Sequence, residues 1–233
     1  MTKRLFDLIF AMLAAIVTAP VVALLCLIVW LQDRHNPLYI PRRIGKDGKP
    51  FPVFKLRTMV VGADRTGVDT TIKGDNRLLP FAETFRRYKM DELPQFWNVI
   101  LGQMSVVGPR PNVAREVEKY TPEERRLLTV KPGLTDFASV VFADLGERLA
   151  GQQDANLAYE TMVRPTKARL GLFYVDNHTL WMDIVLVAAT VVAVFDRHRA
   201  AKIVVWLLDR AGAPVDLVEM IDRQDRSASR FGS

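Results

Sequence analysis

Residues 8–31, LIFAMLAAIVTAPVVALLCLIVWL, carry no charged side chain. At about 1.5 Å per residue, a helix of that length reaches across a ~30 Å hydrocarbon layer. Buried helices of small soluble domains seldom run so far without a polar face. A cleaved signal peptide is a poor match, because the stretch exceeds the usual ~7–15 apolar residues and ends in VWLQD rather than at a small-residue cleavage site. The segment reads as a retained membrane anchor. Its topology stays open on charge alone: Lys3 and Arg4 flank one end, while Arg34, Arg42, Arg43, Lys46, Lys49, Lys55 and Arg57 follow the other. Both flanks therefore satisfy the positive-inside rule. Pro20, near the middle, removes a backbone hydrogen bond and favours a kink. A bent segment returning to its own face fits both flanks, and a single crossing with the larger flank inside fits one.

The remainder is ordinary globular sequence. With 233 residues, 49% hydrophobic and 25% charged, the chain is too apolar for disorder and long enough for one domain with an appendage. Cys26 is the single cysteine, which excludes a disulfide framework and a multi-cysteine metal site. His35, His178 and His198 are too scattered for a metal cluster. The Lys46-Asp47-Gly48 turn signal followed by Phe51, Val53 and Leu56 in alternation predicts a β-hairpin. Helices are predicted over 81–89, from Pro94 to before Gly102, after a Thr121…Glu124 capping box, and over 152–174 with an interruption at Pro165. Residues 104–107 form a short strand. Residues 184–195 and 203–208 are too short to cross a membrane and lie on the core or on the membrane surface. The tail beyond Asp216, ending RQDRSASRFGS, is expected to fray. The class is α+β, helix-dominated, with divisions at 1–34 (membrane helix), 35–210 (catalytic domain) and 211–233 (C-terminal tail).

Asp91 and Glu92 carry the chemistry. They lie three and two residues before Pro94, at a predicted helix start where the macrodipole favours carboxylates. An isolated acidic pair needs no further explanation. Here, however, Arg86, Arg87 and Lys89 lie just upstream, and Arg110 sits between two prolines in Gly-Pro-Arg-Pro. Cations around a carboxylate pair suit an anionic phosphoryl substrate, and arginine suits bidentate phosphate contacts. Glu92 with Asp91 could hold Mg²⁺, a hard cation that bridges phosphates. Lys55 and Arg57 could contact a phosphate or a lipid headgroup, or simply form a solvated basic strand edge. Arg43 and Gly45 shape the hairpin, Asp7 pairs with a nearby arginine, and Trp30 and Trp181 are either interfacial or buried. Asp75, Asp154 and Asp176 could serve a metal or a ribose. The +6 net charge fits anionic lipid, and no stacking platform or recognition motif supports nucleic acid.

The run MDELPQFWNVILGQMSVVGPRP resembles the signature of the bacterial sugar transferases, the monotopic polyprenyl-phosphate phosphoglycosyl transferases. RRIGKDGKPFPVFKLRTM, KPGLT at 131–135 and the N-terminal KRLFDL resemble their other blocks. Ala19, Lys89 and Gly171 depart from the commoner pattern. The resemblance implies transfer of a sugar-1-phosphate from a UDP-sugar to polyprenyl phosphate, with release of UMP. It implies Asp91 as nucleophile in a covalent phosphosugar intermediate, Glu92 as its Mg²⁺-associated neighbour, and Arg86 and Arg110 at substrate phosphates. It also implies a re-entrant segment broken at Pro20, amphipathic interfacial helices, and a site on the cytoplasmic face of the bacterial inner membrane. The alternatives are a membrane-anchored nucleotide-sugar hydrolase or phosphatase and a non-catalytic scaffold. A homodimer is compatible with the sequence, although no apolar stripe specifies an interface. Neutralising Arg110 is expected to lower turnover with little effect on folding.

Overall fold

A computed structural model describes residues 2–63, 74–150 and 154–229. Helix α1 (Thr2–Asp33) leads into four short strands, β1 (Leu38–Tyr39), β2 (Arg42–Ile44), β3 (Pro50–Pro52) and β4 (Lys55–Leu56). Then come α2 (Ala82–Arg87), a 3-10 segment (Met90–Gln95), α3 (Phe96–Ile100), β5 (Ser105–Val107) and α4 (Ala114–Glu118). A second 3-10 segment (Glu124–Thr129), β6 (Gly133–Thr135), α5 (Phe137–Val141), α6 (Leu145–Ala150) and α7 (Ala155–Ala158) follow. A π-helical turn (Tyr159–Val163) opens the final run of α8 (Arg164–Asn177), α9 (Leu180–Phe195), α10 (Arg197–Arg210) and α11 (Val215–Ser229). Helices dominate an α+β architecture, as the sequence predicts.

The predicted hairpin is β2–β3, antiparallel, with Arg43 opposite Phe51. Its turn places Asp47 at φ 57° and Gly48 at φ 72°, the left-handed region that the Asp-Gly pair tolerates best. Strands β1 and β4 also pair antiparallel. Strands β5 and β6 pair in parallel, and two glycines are required there, Gly108 just past β5 and Gly133 at the start of β6. A Cβ on Gly133 would lie 2.1 Å from the Gly108 nitrogen, and one on Gly108 would lie 2.6 Å from the Lys131 carbonyl. This backbone contact joins the Gly-Pro-Arg-Pro loop to the Lys-Pro-Gly-Leu-Thr block.

Three helix expectations need correction. The helix expected from Pro94 begins at Met90 as 3-10 turns and becomes α-helical only at Phe96. Lys89, at φ 56°, separates it from α2, and Pro94 disfavours the α conformation at Leu93. Pro165 does not interrupt its helix: it occupies the first turn of α8, where no N–H is needed, and the irregularity falls in the π-helical turn before it. The C-terminal segment is helical to Ser229, with Leu217 and Ile221 buried in the main core, because its apolar residues recur at helical spacing. Residues 230–233 of the expected frayed tail lie outside the described residues. The capping box is present as read: Thr121 Oγ1 accepts from the Glu124 N–H (3.1 Å), and Glu124 Oε2 accepts from the Thr121 N–H (2.8 Å).

The main core gathers Val106 and Val107 of β5, Phe137 of α5, Leu170 and Tyr174 of α8, Leu186 of α9 and Leu208 of α10. Two buried polar side chains in or beside it, Tyr174 and Asn98, are partnered. Tyr174 donates to Asp183 Oδ1 (2.6 Å), and Asn98 of α3 donates to the Pro52 carbonyl (2.7 Å) while accepting from the Phe54 N–H (2.9 Å). Gly171 lets α8 approach the second 3-10 segment, where a Cβ would meet Leu127 Cδ2 at 2.7 Å.

Helix α1 runs unbroken through Pro20 for 32 residues, about 48 Å at about 1.5 Å per residue. Pro20 lies inside the helix without ending it; the ring removes one hydrogen bond and the apolar helix continues past it. Both ends of α1 are fixed to the same globular body. At the N-terminal end Lys3 donates to Asp183 Oδ2 (2.6 Å), and Arg4 donates to the Val99 and Ile100 carbonyls (2.7 and 3.1 Å) that end α3. Asp7 is buried and accepts from the Ser105 hydroxyl (2.9 Å) and the Val106 N–H (3.0 Å), with Lys3, not an arginine, as its ion partner. At the other end Leu25 and Val29 join a second core cluster with Leu56, Leu79, Ala82 and Phe85. Between the two anchors Leu13, Ile16, Val17 and Leu24 are exposed. Trp181 and Phe195 of α9 and Trp206 of α10 are exposed as well, as is Trp30, so neither Trp30 nor Trp181 is a core residue.

Candidate functional site

Asp91 and Glu92 occupy the first turn of the Met90–Gln95 segment, and β4 runs beside it. Lys55 of β4 places its Nζ 3.3 Å from Glu92 Oε1 and 3.9 Å from Asp91 Oδ2. Arg110 grips Glu92 with both terminal nitrogens, Nη1 to Oε2 at 2.8 Å and Nη2 to Oε1 at 2.6 Å. The same Nη1 donates to the Leu134 carbonyl of β6 (2.7 Å), and the Arg110 backbone N–H reaches Asp136 Oδ2 (3.4 Å). The Gly108–Gly133 contact thus fixes the loop from which Arg110 reaches the dyad. Arg86 completes the set, with Nη1 3.5 Å from Thr58 Oγ1 and its charge acting on Asp91.

The two carboxyls are driven apart electrostatically. Burial pushes Asp91 above the usual carboxylate range, and Glu92 adds to that push against Lys55, Arg86 and Lys89. Glu92 is also opposed by burial, but Arg110, Lys55 and Lys89 outweigh it and hold the group well below its ordinary value. One member is therefore a fixed anion and the other a desolvated, more basic carboxylate, a division seen where paired acids take different roles. Lys89, packed against the dyad in a left-handed backbone conformation, is held down by burial. Such backbone strain in a residue other than glycine is a recurrent feature of functional sites.

A cavity of about 1840 Å³ is lined by Lys55, Arg86, Lys89, Glu92 and Arg110. Asp91 is 6% exposed and lies behind that wall. The structure thus brings together Asp91, Glu92, Lys55, Arg86 and Arg110 of the residues singled out from the sequence.

Arg57 is the exception. Its guanidinium is buried and chelates Asp33 at the end of α1 (Nη1 and Nη2, both 2.6 Å), with Nε donating to the Asn36 carbonyl (2.8 Å). Every nitrogen is engaged, so it clamps α1 to β4 instead of offering a phosphate site. Among the other acids considered, Asp75 pairs with Arg77 and Asp176 with Arg126, while Asp154 caps α7. The sequence reading missed Asp136, whose side chain caps α5 through the Ser139 N–H and supports Arg110. An acidic residue directly after Lys-Pro-Gly-Leu-Thr was its only signal.

Asp91 and Glu92 are the carboxylates that a Mg²⁺ ion would meet here, with both Glu92 oxygens already held by Arg110. Two adjacent carboxylates are what such an ion takes from protein when substrate phosphates and water supply the rest, and no group of three or more His, Cys, Asp or Glu that could hold a metal occurs among the described residues. Asp91 and Glu92 would hold it.

The sequence profile of the bacterial sugar transferases matches residues 1–197, which takes in α1, the dyad and every strand. The chain belongs to the bacterial sugar transferase family. Among similar family members, the UDP-galactose-lipid carrier transferase of Erwinia amylovora is 33% identical over 214 residues, covering 85% of this chain and 41% of that protein. The undecaprenyl-phosphate galactose phosphotransferase of Salmonella typhimurium is 32% identical over 216 residues, again 85% and 41%. The chain thus spans about two fifths of the length of these two relatives. The exopolysaccharide production protein ExoY of Sinorhizobium fredii is 33% identical over 208 residues, covering 83% of this chain and 85% of that protein.

Proposed function

We propose that this bacterial sugar transferase moves a sugar-1-phosphate from a UDP-sugar to polyprenyl phosphate in two displacements at one phosphorus, with Asp91 as the nucleophile. The observation that carries the reading is the split dyad: a buried carboxyl with raised basicity beside a carboxylate locked by Arg110 and Lys55. In the first step an Asp91 oxygen bonds to the sugar-bearing phosphorus, and the bond from that phosphorus to UMP breaks. In the second, an oxygen of the lipid phosphate attacks the same phosphorus and the Asp91–phosphorus bond breaks, restoring the carboxylate. Lys55, Arg86 and Arg110 neutralise the phosphate oxygens and orient them in line. A donor phosphate that recruits Lys55 and Arg110 also loosens their hold on the dyad and uncovers Asp91. A Mg²⁺ ion at the dyad would further offset phosphate charge.

The two-ended attachment of α1 to one body supports a membrane segment whose ends share a face. With a body on one side only, a straight crossing would carry one anchored end away from it. The exposed apolar middle of α1 then enters the lipid, and the cavity faces the cytoplasm of a bacterial inner membrane, where a soluble donor and a lipid acceptor can both reach it. The product begins a lipid-linked glycan.

Intact-mass spectrometry of the purified chain with Mg²⁺ and a panel of UDP-sugars, without lipid, tests this. A gain of one sugar-phosphate that is absent in Asp91→Asn is expected and names the sugar. UMP release without an adduct would replace the covalent route with direct transfer or hydrolysis. Normal glycan production by Asp91→Asn in cells would leave a scaffold.

A further inference from the structure

Val130 and Pro132 line the cavity, but Lys131 between them does not, and neither do Arg4 and Gly102. A Cβ built on Gly102 would lie 3.3 Å from Arg4 Nη2 and 3.6 Å from Lys131 Nζ. A guanidinium and an ammonium, both half-buried, therefore flank one small space, left open because Gly102, at φ 80°, carries no side chain. Arg4 spends one hydrogen on each of the Val99 and Ile100 carbonyls, which leaves Nε and a second hydrogen on each terminal nitrogen. Neither cation pairs with a carboxylate among the described residues, and Lys131 forms no hydrogen bond through its side chain there. Burial and the charge of Arg4 lower the Lys131 ammonium. Asp7, the acid that opposes them, is buried and bonded to the Ser105 hydroxyl and the Val106 N–H.

The surface around this pair is apolar. Leu5 follows Arg4 in α1, and the Arg4 guanidinium sits on the last carbonyls of α3, directly before Leu101. Leu5 is 58% exposed and Leu101 61%. Trp97 lies one turn before Leu101, whose N–H bonds the Trp97 carbonyl at 2.9 Å, and its ring is exposed as well. From Leu5 the exposed face continues along α1 through Ile9, Leu13 and Ile16 at helical spacing. The two cations thus stand where the apolar surface of the anchor meets the globular body.

We infer that Arg4 and Lys131 form a headgroup site for an anionic phospholipid of the bilayer, with its phosphate bridging the two cations over Gly102 and its acyl chains lying on Leu5, Trp97 and Leu101. The two nitrogens are no further apart than their distances from the Gly102 position allow. A phosphate accepting a charge-assisted bond of about 2.8 Å from each, on separate oxygens, spans that gap. The phosphodiester supplies the anion that the pair lacks, and the acyl chains cover apolar surface that a free phosphate would leave in water. The inference rests on the reading of α1 as a membrane segment and goes beyond it. A basic flank orients a helix by its charge alone, whereas here one lipid molecule is held at a fixed place between α1, α3 and the Lys-Pro-Gly-Leu-Thr block.

The experiment measures binding of dioctanoyl phosphatidylglycerol, dioctanoyl phosphatidylcholine and glycerol 3-phosphate to the full chain in neutral detergent. Wild type is compared with Lys131→Gln, Lys131→Arg and Leu101→Ser, each checked for an unchanged melting temperature; Arg4 is kept because it caps α3. Wild type should prefer the anionic lipid. Lys131→Gln should weaken that lipid by about tenfold or more and leave the choline lipid unchanged, with Lys131→Arg recovering most of the loss. Leu101→Ser should weaken phosphatidylglycerol through its chains. Glycerol 3-phosphate bound as tightly as phosphatidylglycerol would make the ligand a free phosphate and overturn the lipid assignment. Equal affinity of wild type and folded Lys131→Gln for phosphatidylglycerol overturns the site and leaves the transferase and anchor readings intact. A wild type that fails to float with vesicles of either lipid overturns the membrane reading of α1, and the site with it.

Discussion

At the residue scale, the two acids of the dyad answer pH in opposite senses. Asp91 is raised by burial, so it reacts only once ionised, and turnover should fall as pH drops through a value above the ordinary carboxylate range. The sign for folding is the reverse: a carboxyl raised in the folded state destabilises at neutral pH, where it is forced to ionise while buried. Asp91→Asn should therefore abolish the adduct and leave the melting temperature unchanged or higher, as read by mass spectrometry and thermal unfolding together. A marked fall in melting temperature would mean that Asp91 serves the fold. Arg110 has a heavier structural role than its sequence context implies. Its loss frees a half-covered Glu92 and the Leu134 carbonyl at once, so Arg110→Ala should cost about 1–3 kcal/mol as well as turnover, measured by denaturant unfolding. This revises the expectation of a neutral effect on folding. Fixed charge without a fold penalty would instead indicate that water replaces the guanidinium on Glu92.

At the scale of elements, the Asp33–Arg57 pair joins α1 to β4. The Arg57 hydrogen bonds lower Asp33 to about 2 against the opposing effect of burial. A depressed carboxylate contributes stability that is present above the unfolded value and lost as pH falls through the folded one. The clamp should therefore weaken between about pH 4 and 2, and Arg57→Gln should remove that part of the acid transition. Far-UV circular dichroism across this range would show it. Adduct formation per folded molecule should survive in Arg57→Gln; its loss with an unchanged melting temperature would return Arg57 to the substrate site. The hairpin, the capping box and the short strand after Met104 were all legible in the sequence, since each is set by local turn chemistry or alternation. The 3-10 start of the dyad segment was not, because it follows from the Lys89 reversal and from packing beside β4.

For the whole molecule, the decisive feature is that Lys3, Arg4 and Asp7 at one end of α1 and Gln32 and Asp33 at the other grip one body. In sealed inside-out vesicles carrying a Cys26→Ser background, single cysteines replacing Thr2 and His35 should react with an impermeant maleimide from the same side. Labelling of the two from opposite sides would establish a crossing and detach the far anchor from the body.

The sequence alone determined that a long uncharged helix leads the chain, that an acidic pair lies among arginines, and that both belong to the bacterial sugar transferase pattern. Those properties are local: they depend on side-chain type at short spacing, and one chain shows them without folding. Tertiary structure decided which basic residues meet the acids. Lys55 and Arg57 are two residues apart in one basic run, yet one faces the dyad and the other is buried on Asp33. Arg4 and Lys131, 127 positions apart in the sequence, flank one space over Gly102. Which charge finds a partner is a matter of long-range packing and desolvation, and no spacing rule along the chain encodes it.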